Sequence, residues 1–346
     1  MSPLAREVDQ LLAAGGVPLF TRPVFTGVLR DVFGFRFRYL LSRARNGEVR
    51  GAMPCFDLAS VLCGRRLSTA PFNFFGGLHA SDETAAHDLL VQARRAAVAR
   101  RWVEMKLTAP LPQELVAEFG LAVRYDFLTF EVPLEGEGEM ERRRHPRLRE
   151  RLRALRRQLG RRLVVAAAAR AEEVAAFHRL LTREYLRKHR MLPLPFALFR
   201  RVWQELGPAG GAEVLLARID GRLAAGAFLL QDGDRVRYQW GAFELALGHE
   251  SPLKLLLDEA MRRAVAQGKG FFDLGLTART HAGLRFFKTR WGGVERALPW
   301  YYLLAPGERV PQLSYHSSFG AVRQALRWIP PPLLRLVSPG LFRHLA

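Results

Sequence analysis

The clearest apolar pattern in the chain begins at Ser251-Pro252. A helix-capping residue and a first-turn proline there precede Leu253, Leu256, Leu257, Ala260, Met261 and Ala264 at helical spacing, with a stop at Gly268. Ahead of it, apolar runs at 213–219, 223–230 and 235–243 are separated by the tight turns Asp220-Gly221 and Asp232-Gly233-Asp234, which predicts a three-stranded meander. Further upstream, 162–169 predicts a strand and 171–189 a helix with Val174, Phe177, Leu180, Leu181 and Tyr185 on one side. A second helix at 196–206 ends at Gly207 and Pro208. After the helix at 252 come a short buried strand at 271–276, a small helix at 281–291 and a last strand at 298–305. The order is mixed α/β.

The first half repeats this order in a worn form. Residues 35–44 and 48–57 predict paired strands around Asn46-Gly47, and 66–75 a third strand. Ser81 reads as the cap of a helix reaching Arg100, and 103–108, 113–119 and 125–132 as strand, helix and strand. Two copies of one order, joined near 136–141, predict an N-terminal domain over 1–136, a C-terminal domain over 137–305 and a tail over 306–346. An interdomain cleft is the expected ligand site.

Composition narrows the function classes. The 346 residues carry a formal net charge of +20, and only five of the basic residues are lysines. Such a field favours anionic partners: RNA, phosphorylated substrates or an anionic membrane face. Much of it sits in RRRHPRLRERLRALRRQLGRR, residues 142–162, where Leu148, Leu152, Leu155 and Leu159 recur at helical spacing. One amphipathic helix is expected, its leucines docked and its arginines either solvated or against RNA or lipid headgroups. No helix-turn-helix, zinc-finger or RNA-recognition signature accompanies it, so DNA sequence reading is not expected. Cys55 and Cys63 have neither disulfide-framework nor metal-ligand spacing. No apolar run reaches the ~20 residues of a membrane helix, and Glu7 and Asp9 interrupt any secretory signal. The expected location is cytoplasmic.

The most specific block is GFFDLGLTARTHAGLRFFKTRWGG, residues 270–293. With STAPFNFFGG at 68–77 and the doubled order of elements, it resembles the Fem family, the FemA/FemB-like peptidyltransferases and their exopolysaccharide-associated relatives, over roughly residues 20–304. The resemblance implies tandem GNAT-like acyltransferase domains. It also implies transfer of an acyl or aminoacyl group, in the best-known members from charged tRNA, to an amine of a cell-wall or exopolysaccharide precursor.

Candidate site residues follow from pattern and resemblance together. Gly275 leaves the end of the 271–276 strand free of side chain, and the next helix is expected to present Lys288 while Phe286, Phe287 and Trp291 anchor its other faces. The resemblance gives the lysine of the FK pair a functional position, and a lysine suits a phosphate or a developing oxyanion. Tyr238 and Trp240 alternate on one strand and so are expected to share a face, with an acceptor-binding tyrosine on this strand implied by the resemblance. Asp273 sits between apolar neighbours and either accepts the amine proton or caps backbone. His249 and Glu250, just before Ser251, are candidates for base or substrate contact, and Arg187 and Arg190 for a substrate carboxylate or phosphate.

The donor is left open. Acetyl-CoA enzymes of this fold usually carry a Q/R-x-x-G-x-G/A loop whose amides hold pyrophosphate. Here GAFELALGHESP, 241–252, keeps only Gly248 near the needed place. The long helical arm of some tRNA-using Fem members is also absent. No cofactor or metal is expected to be tightly bound; acyl-CoA or aminoacyl-tRNA would be co-substrate. No Ser-His-Asp or Cys-His set can be assembled from spacing, so direct attack is expected rather than an acyl-enzyme. The tail, with Trp328-Ile329 before Pro330 and then Leu333, Leu334, Leu336 and Val337 among arginines, fits either the protein or the inner membrane surface. Three readings stand: a Fem-like transferase, an acetyl-CoA-dependent GNAT N-acetyltransferase, and a non-catalytic RNA- or membrane-binding double domain.

Overall fold

A computed structural model describes residues 2–60, 64–72, 74–189, 194–311 and 342. Contacts divide the chain into two units, Met1–Asp126 with Leu298–Ala346, and Phe127–Ala297.

The first unit opens with two helices absent from the pattern reading. These are α1 (Pro3–Ala14), capped by Ser2, whose Oγ accepts from the Ala5 N–H, and α2 (Pro23–Phe33), ended by left-handed Gly34. Strands β1 (Arg36–Arg43) and β2 (Val49–Ser60) pair antiparallel across the Asn46-Gly47 turn, and β2 continues to β3 (Gly64–Ser68) and the short β4 (His79–Ala80). The third strand is shorter than expected. It stops at Ser68, beyond which Phe72 is left-handed and Phe74 and Phe75 pack on Phe20. Helix α3 (Glu83–Val98) is capped by Asp82 rather than Ser81, the Asp82 carboxylate accepting from the Ala85 N–H at 2.9 Å. There follow β5 (Trp102–Lys106), parallel to β3, and α4 (Gln113–Glu118); β6 (Ala122–Pro133) leaves the first unit after Asp126. Leu89, Leu90 and Ala93 of α3 pack on Leu40, Met53, Cys55, Leu67, Val103 and Met105. Burial pushes the Cys55 thiol up to about 12, so it is an inert core residue. Cys63 lies outside the described residues.

In the second unit, the expected single arginine helix is two. Helix α5 (Glu137–Arg143) stops, Arg144 and His145 turn extended ahead of Pro146, and α6 runs Pro146–Leu159. A residue preceding proline is forced out of the helical region, which sets the break. All four predicted leucines are buried, while Arg147, Arg151, Arg153 and Arg157 face solvent. Then come β7 (Leu163–Ala167), α7 (Ala171–Glu184) passing into a π-helical turn at Tyr185–His189, α8 (Phe196–Leu206), and the meander β8 (Ala212–Ile219), β9 (Arg222–Asp232) and β10 (Arg235–Phe243). Asp220 and Gly221 both have positive φ, as the two-residue turn requires. The unit is completed by α9 (Pro252–Ala266), β11 (Phe271–Asp273), β12 (Thr277–Ala278) and α10 (Ala282–Arg290); β13 (Val294–Leu304) returns the chain to the first unit at Leu298. The sheet order here is β6-β11-β10-β9-β8-β7, with β12 also on β6. Helices α6 and α9 cover one face through Leu152, Leu155, Leu256 and Met261 on Leu215, Ala217 and Leu229. Phe177, Phe199, Phe228 and Trp240 form an aromatic cluster on the other.

The division expected at 136 keeps β6 whole, whereas contacts share both β6 and β13 between the units. No helix among the described residues is long and apolar enough to cross a membrane. The tail, expected either on the protein or on the inner membrane surface, lies from 312 onward and apart from Phe342 outside the described residues.

Candidate functional site

The site grows from the place where two parallel strands part. β10 and β11 pair at Arg235↔Phe271, Val236↔Phe272 and Arg237↔Asp273, and β11 then ends. What ends it is a turn built on Asp273. This carboxylate, wholly buried, accepts from the Gly275 N–H and from the Thr129 hydroxyl of β6, both at 2.6 Å, and forms an ion pair with Arg237 at 2.9 Å. Gly275 sits at φ +81°, and a Cβ there would stand 2.9 Å from the Tyr238 carbonyl oxygen. Of the two sequence readings for Asp273, the geometry matches the backbone-capping one.

Helix α10 aims its lysine at the same turn. His281 caps it, Nδ1 accepting from the Leu284 N–H, and Trp291 locks its far end, buried beneath the Arg144 guanidinium, which itself reaches Asp258 at 2.6 Å. Lys288 is 4% exposed, and its Nζ donates to the Gly275 carbonyl at 2.6 Å and to the Leu276 carbonyl at 3.1 Å. Burial lowers its pKa to about 7; Asp273 pulls it up and Arg237 pushes it further down. This amine is therefore a pin inside the turn rather than a charge held out to solvent. A trans peptide points its N–H opposite to its C=O, so with Gly275 C=O fixed toward Lys288 the Leu276 N–H is directed away from it. The anchoring expected of three aromatics falls to two: Trp291 is buried and Phe287 half-buried with their rings 6.3 Å apart, but Phe286 is 63% exposed.

Tyr238 and Trp240 do not share a face. β10 pairs Tyr238 with Leu229 but Trp240 with Phe228, so a bulge at Gln239 resets the alternation. Tyr238 packs on the α6/α9 side, its hydroxyl so close to Gly241 that a Cβ there would clash, while Trp240 joins the Phe199–Phe228 cluster. Burial, with Glu184 nearby, pushes the Tyr238 phenol well up. Glu184, 5% exposed at the end of α7, accepts from the Phe243 N–H at the end of β10. Ser251 does not cap α9: it is left-handed at φ 49° and accepts from Lys254 Nζ at 3.0 Å. Arg187 is exposed on the π-helical turn. The side chains of His249 and Glu250, and Arg190 altogether, lie outside the described residues.

The structure thus brings together Lys288, Asp273, Gly275 and Tyr238, and adds Thr129, Arg237 and Glu184. Arg237 shares β10 with Arg235 and Gln239 and did not stand out from them in the sequence; Thr129 and Glu184 carried no local signal. Among the described residues no group of three or more His, Cys, Asp or Glu could hold a metal ion.

Comparison with known proteins bears on the fold. Residues 142–287 match the model of the acetyltransferase (GNAT) domain. FemX superimposes with a TM-score of 0.72 at 15% identity, covering 94% of this chain and 99% of that one. The C-terminal domain of a candidate lysylphosphatidylglycerol synthetase from Agrobacterium fabrum gives 0.57 at 14% identity, over 93% and 95%. A tandem GNAT protein from the clavulanic acid biosynthesis pathway gives 0.50 at 15%, over 86% and 93%. A search of curated proteins returned no match. The domain match and the shared fold together mark an acyltransferase that carries a GNAT domain over residues 142–287. Within that class the chain has the tandem, Fem-like architecture, shared with FemX along nearly its whole length.

Proposed function

We propose that the chain moves an acyl or aminoacyl group from an activated donor, charged tRNA or acyl-CoA, to an amine of a cell-envelope precursor by direct attack at the inner membrane face. The observation that carries this reading is the pinned turn. Lys288 and Asp273 fix the Gly275–Leu276 peptide at the end of the parted strands, leaving a backbone N–H oriented before any substrate arrives. That N–H is the donor we assign to the oxyanion formed when the amine attacks the ester or thioester carbonyl. Gly275 lets this turn close against the Tyr238 carbonyl of β10, where a Cβ would stand 2.9 Å away. The new amide bond forms as the carbon–oxygen or carbon–sulfur bond to the donor breaks, and the amine proton passes to the leaving group or solvent. Lys288 acts here as a positioning residue. The resemblance to FemX and to the lysylphosphatidylglycerol synthetase domain favours an aminoacyl donor.

An acetyl-CoA-dependent reaction is the second reading, favoured by the match of 142–287 to the acetyltransferase domain. Incubating the intact protein with labelled aminoacyl-tRNA or acyl-CoA and an amine-bearing envelope precursor separates the two. Label should enter an amide from one donor only, and Gly275→Ala should abolish it. Folded wild type that yields no amide from either donor, or a Gly275→Ala variant as active as wild type, would remove the proposal.

A further inference from the structure

The first unit holds a second set of buried polar groups, unused by the reading above. Leu67 and Val103 face the α3 core, so their neighbours Arg66, Ser68, Trp102 and Glu104 point to the opposite face of β3 and β5. There the register aligns Phe56, Ser68, Glu104 and Tyr302 in one row, with Arg66 and Trp102 side by side in the next. Glu104 is fully engaged: it accepts from the Ser68 hydroxyl at 3.1 Å and the Tyr302 hydroxyl at 3.3 Å, and Lys106 Nζ lies 3.6 Å away. Lys106 in turn donates to the Phe72 carbonyl at 2.6 Å and stands over the Trp300 ring.

Arg66 has no such arrangement. It is 4% exposed, and among the described residues its Nε and Nη1 have no hydrogen-bond partner; the same is true of the indole Nε1 of Trp102, 3% exposed. Two buried cations, Arg66 and Lys106, therefore lie on this face, and of the two only Lys106 is paired with Glu104 among the described residues. Burial lowers the Lys106 pKa, Glu104 raises it and Arg66 lowers it further, so the excess positive charge is felt within the set. Two unpartnered donors of a buried guanidinium beside an unpartnered indole N–H are costly unless an acceptor completes them. All the missing partners are acceptors.

We propose that Arg66 and Trp102 form an anion-binding site in the first unit that takes the carboxylate or phosphate group of a substrate. The site is independent of the transfer turn in the second unit and stands or falls separately from it. Arginine and indole donors suit an oxyanion group, and Lys106 adds favourable potential without direct contact.

The test is thermal unfolding of the full chain at fixed pH and ionic strength, with inorganic phosphate or acetate replacing chloride. A saturable rise in Tm is expected from at least one of the two. Phosphate alone would assign a phosphate group, acetate a carboxylate. Arg66→Met and Trp102→Phe should each weaken the apparent affinity by ~10-fold or more. Without added anion, Arg66→Met should melt no lower than wild type, because it removes an uncompensated buried charge. Trp102→Phe keeps the ring and serves should Arg66→Met misfold. Absence of a saturable shift with either anion overturns the site, and so does a shift that both variants retain, which is what ion binding at exposed arginines would give.

Discussion

Replacing Lys288 with methionine separates the charge of this residue from its packing. The fall in its pKa from 10.5 to about 7 corresponds to roughly 5 kcal/mol of unfavourable charge burial whenever the amine is protonated. Methionine keeps most of the stem but leaves the Gly275 and Leu276 carbonyls without their donor, at about 1–3 kcal/mol each. The pH dependence follows from linkage. Because the folded pKa lies below the unfolded one, between pH ~7 and ~10.5 the unfolded chain holds a proton that the folded chain has released, so stability rises with pH across that window. Below pH ~7 the full penalty is present. Wild type and Lys288→Met should accordingly lie within about 3 kcal/mol of each other at pH 6. The advantage of wild type should then grow by about 1.4 kcal/mol per pH unit from pH 7 to 10. Urea unfolding of both proteins at pH 6, 8 and 10 measures the difference with all other titrations cancelled. A difference that stays flat with pH would mean that Lys288 titrates normally, and the account of a buried, pinned amine would be wrong.

Three further outcomes are expected. Gly275→Ala should lower stability by about 1–3 kcal/mol, since φ +81° and the 2.9 Å approach to the Tyr238 carbonyl both oppose a Cβ; chemical denaturation reads it. Asp273→Asn should cost about 3–5 kcal/mol by withdrawing the charge paired with buried Arg237, visible as a lowered urea midpoint. Trp291→Ala should destabilise by about 3–5 kcal/mol while Phe286→Ala stays within about 0.5, and equal losses in thermal melts would contradict the anchoring assigned to α10.

The order of elements was legible because each carries its own local chemistry. Apolar stripes at helical spacing, Asp-Gly and Asn-Gly turns and prolines at helix starts act over a few residues, and β10 and α8 fall on their predicted bounds. Errors came where a local rule met a competing one. Pro146 broke the arginine helix through the residues before it, Asp82 took the cap from Ser81, and a one-residue bulge at Gln239 sent Tyr238 and Trp240 to opposite faces. A bulge of this kind shifts register relative to a partner strand and leaves no mark in the strand's own alternation.

By itself, then, the sequence determined a doubled mixed α/β chain of Fem-like pattern, and drew notice to Lys288 through the scarcity of lysine and the motif around it. Whether that lysine meets solvent or backbone was decided only in three dimensions. Residues 129, 237, 273, 275 and 288 converge on one turn from four separate elements, and burial and charge at a point are sums over neighbours distant in the chain. The same holds for Arg66, one arginine among many in the sequence, whose Nε and Nη1, without hydrogen-bond partners among the described residues, come to lie beside Trp102 only once β3 and β5 pair.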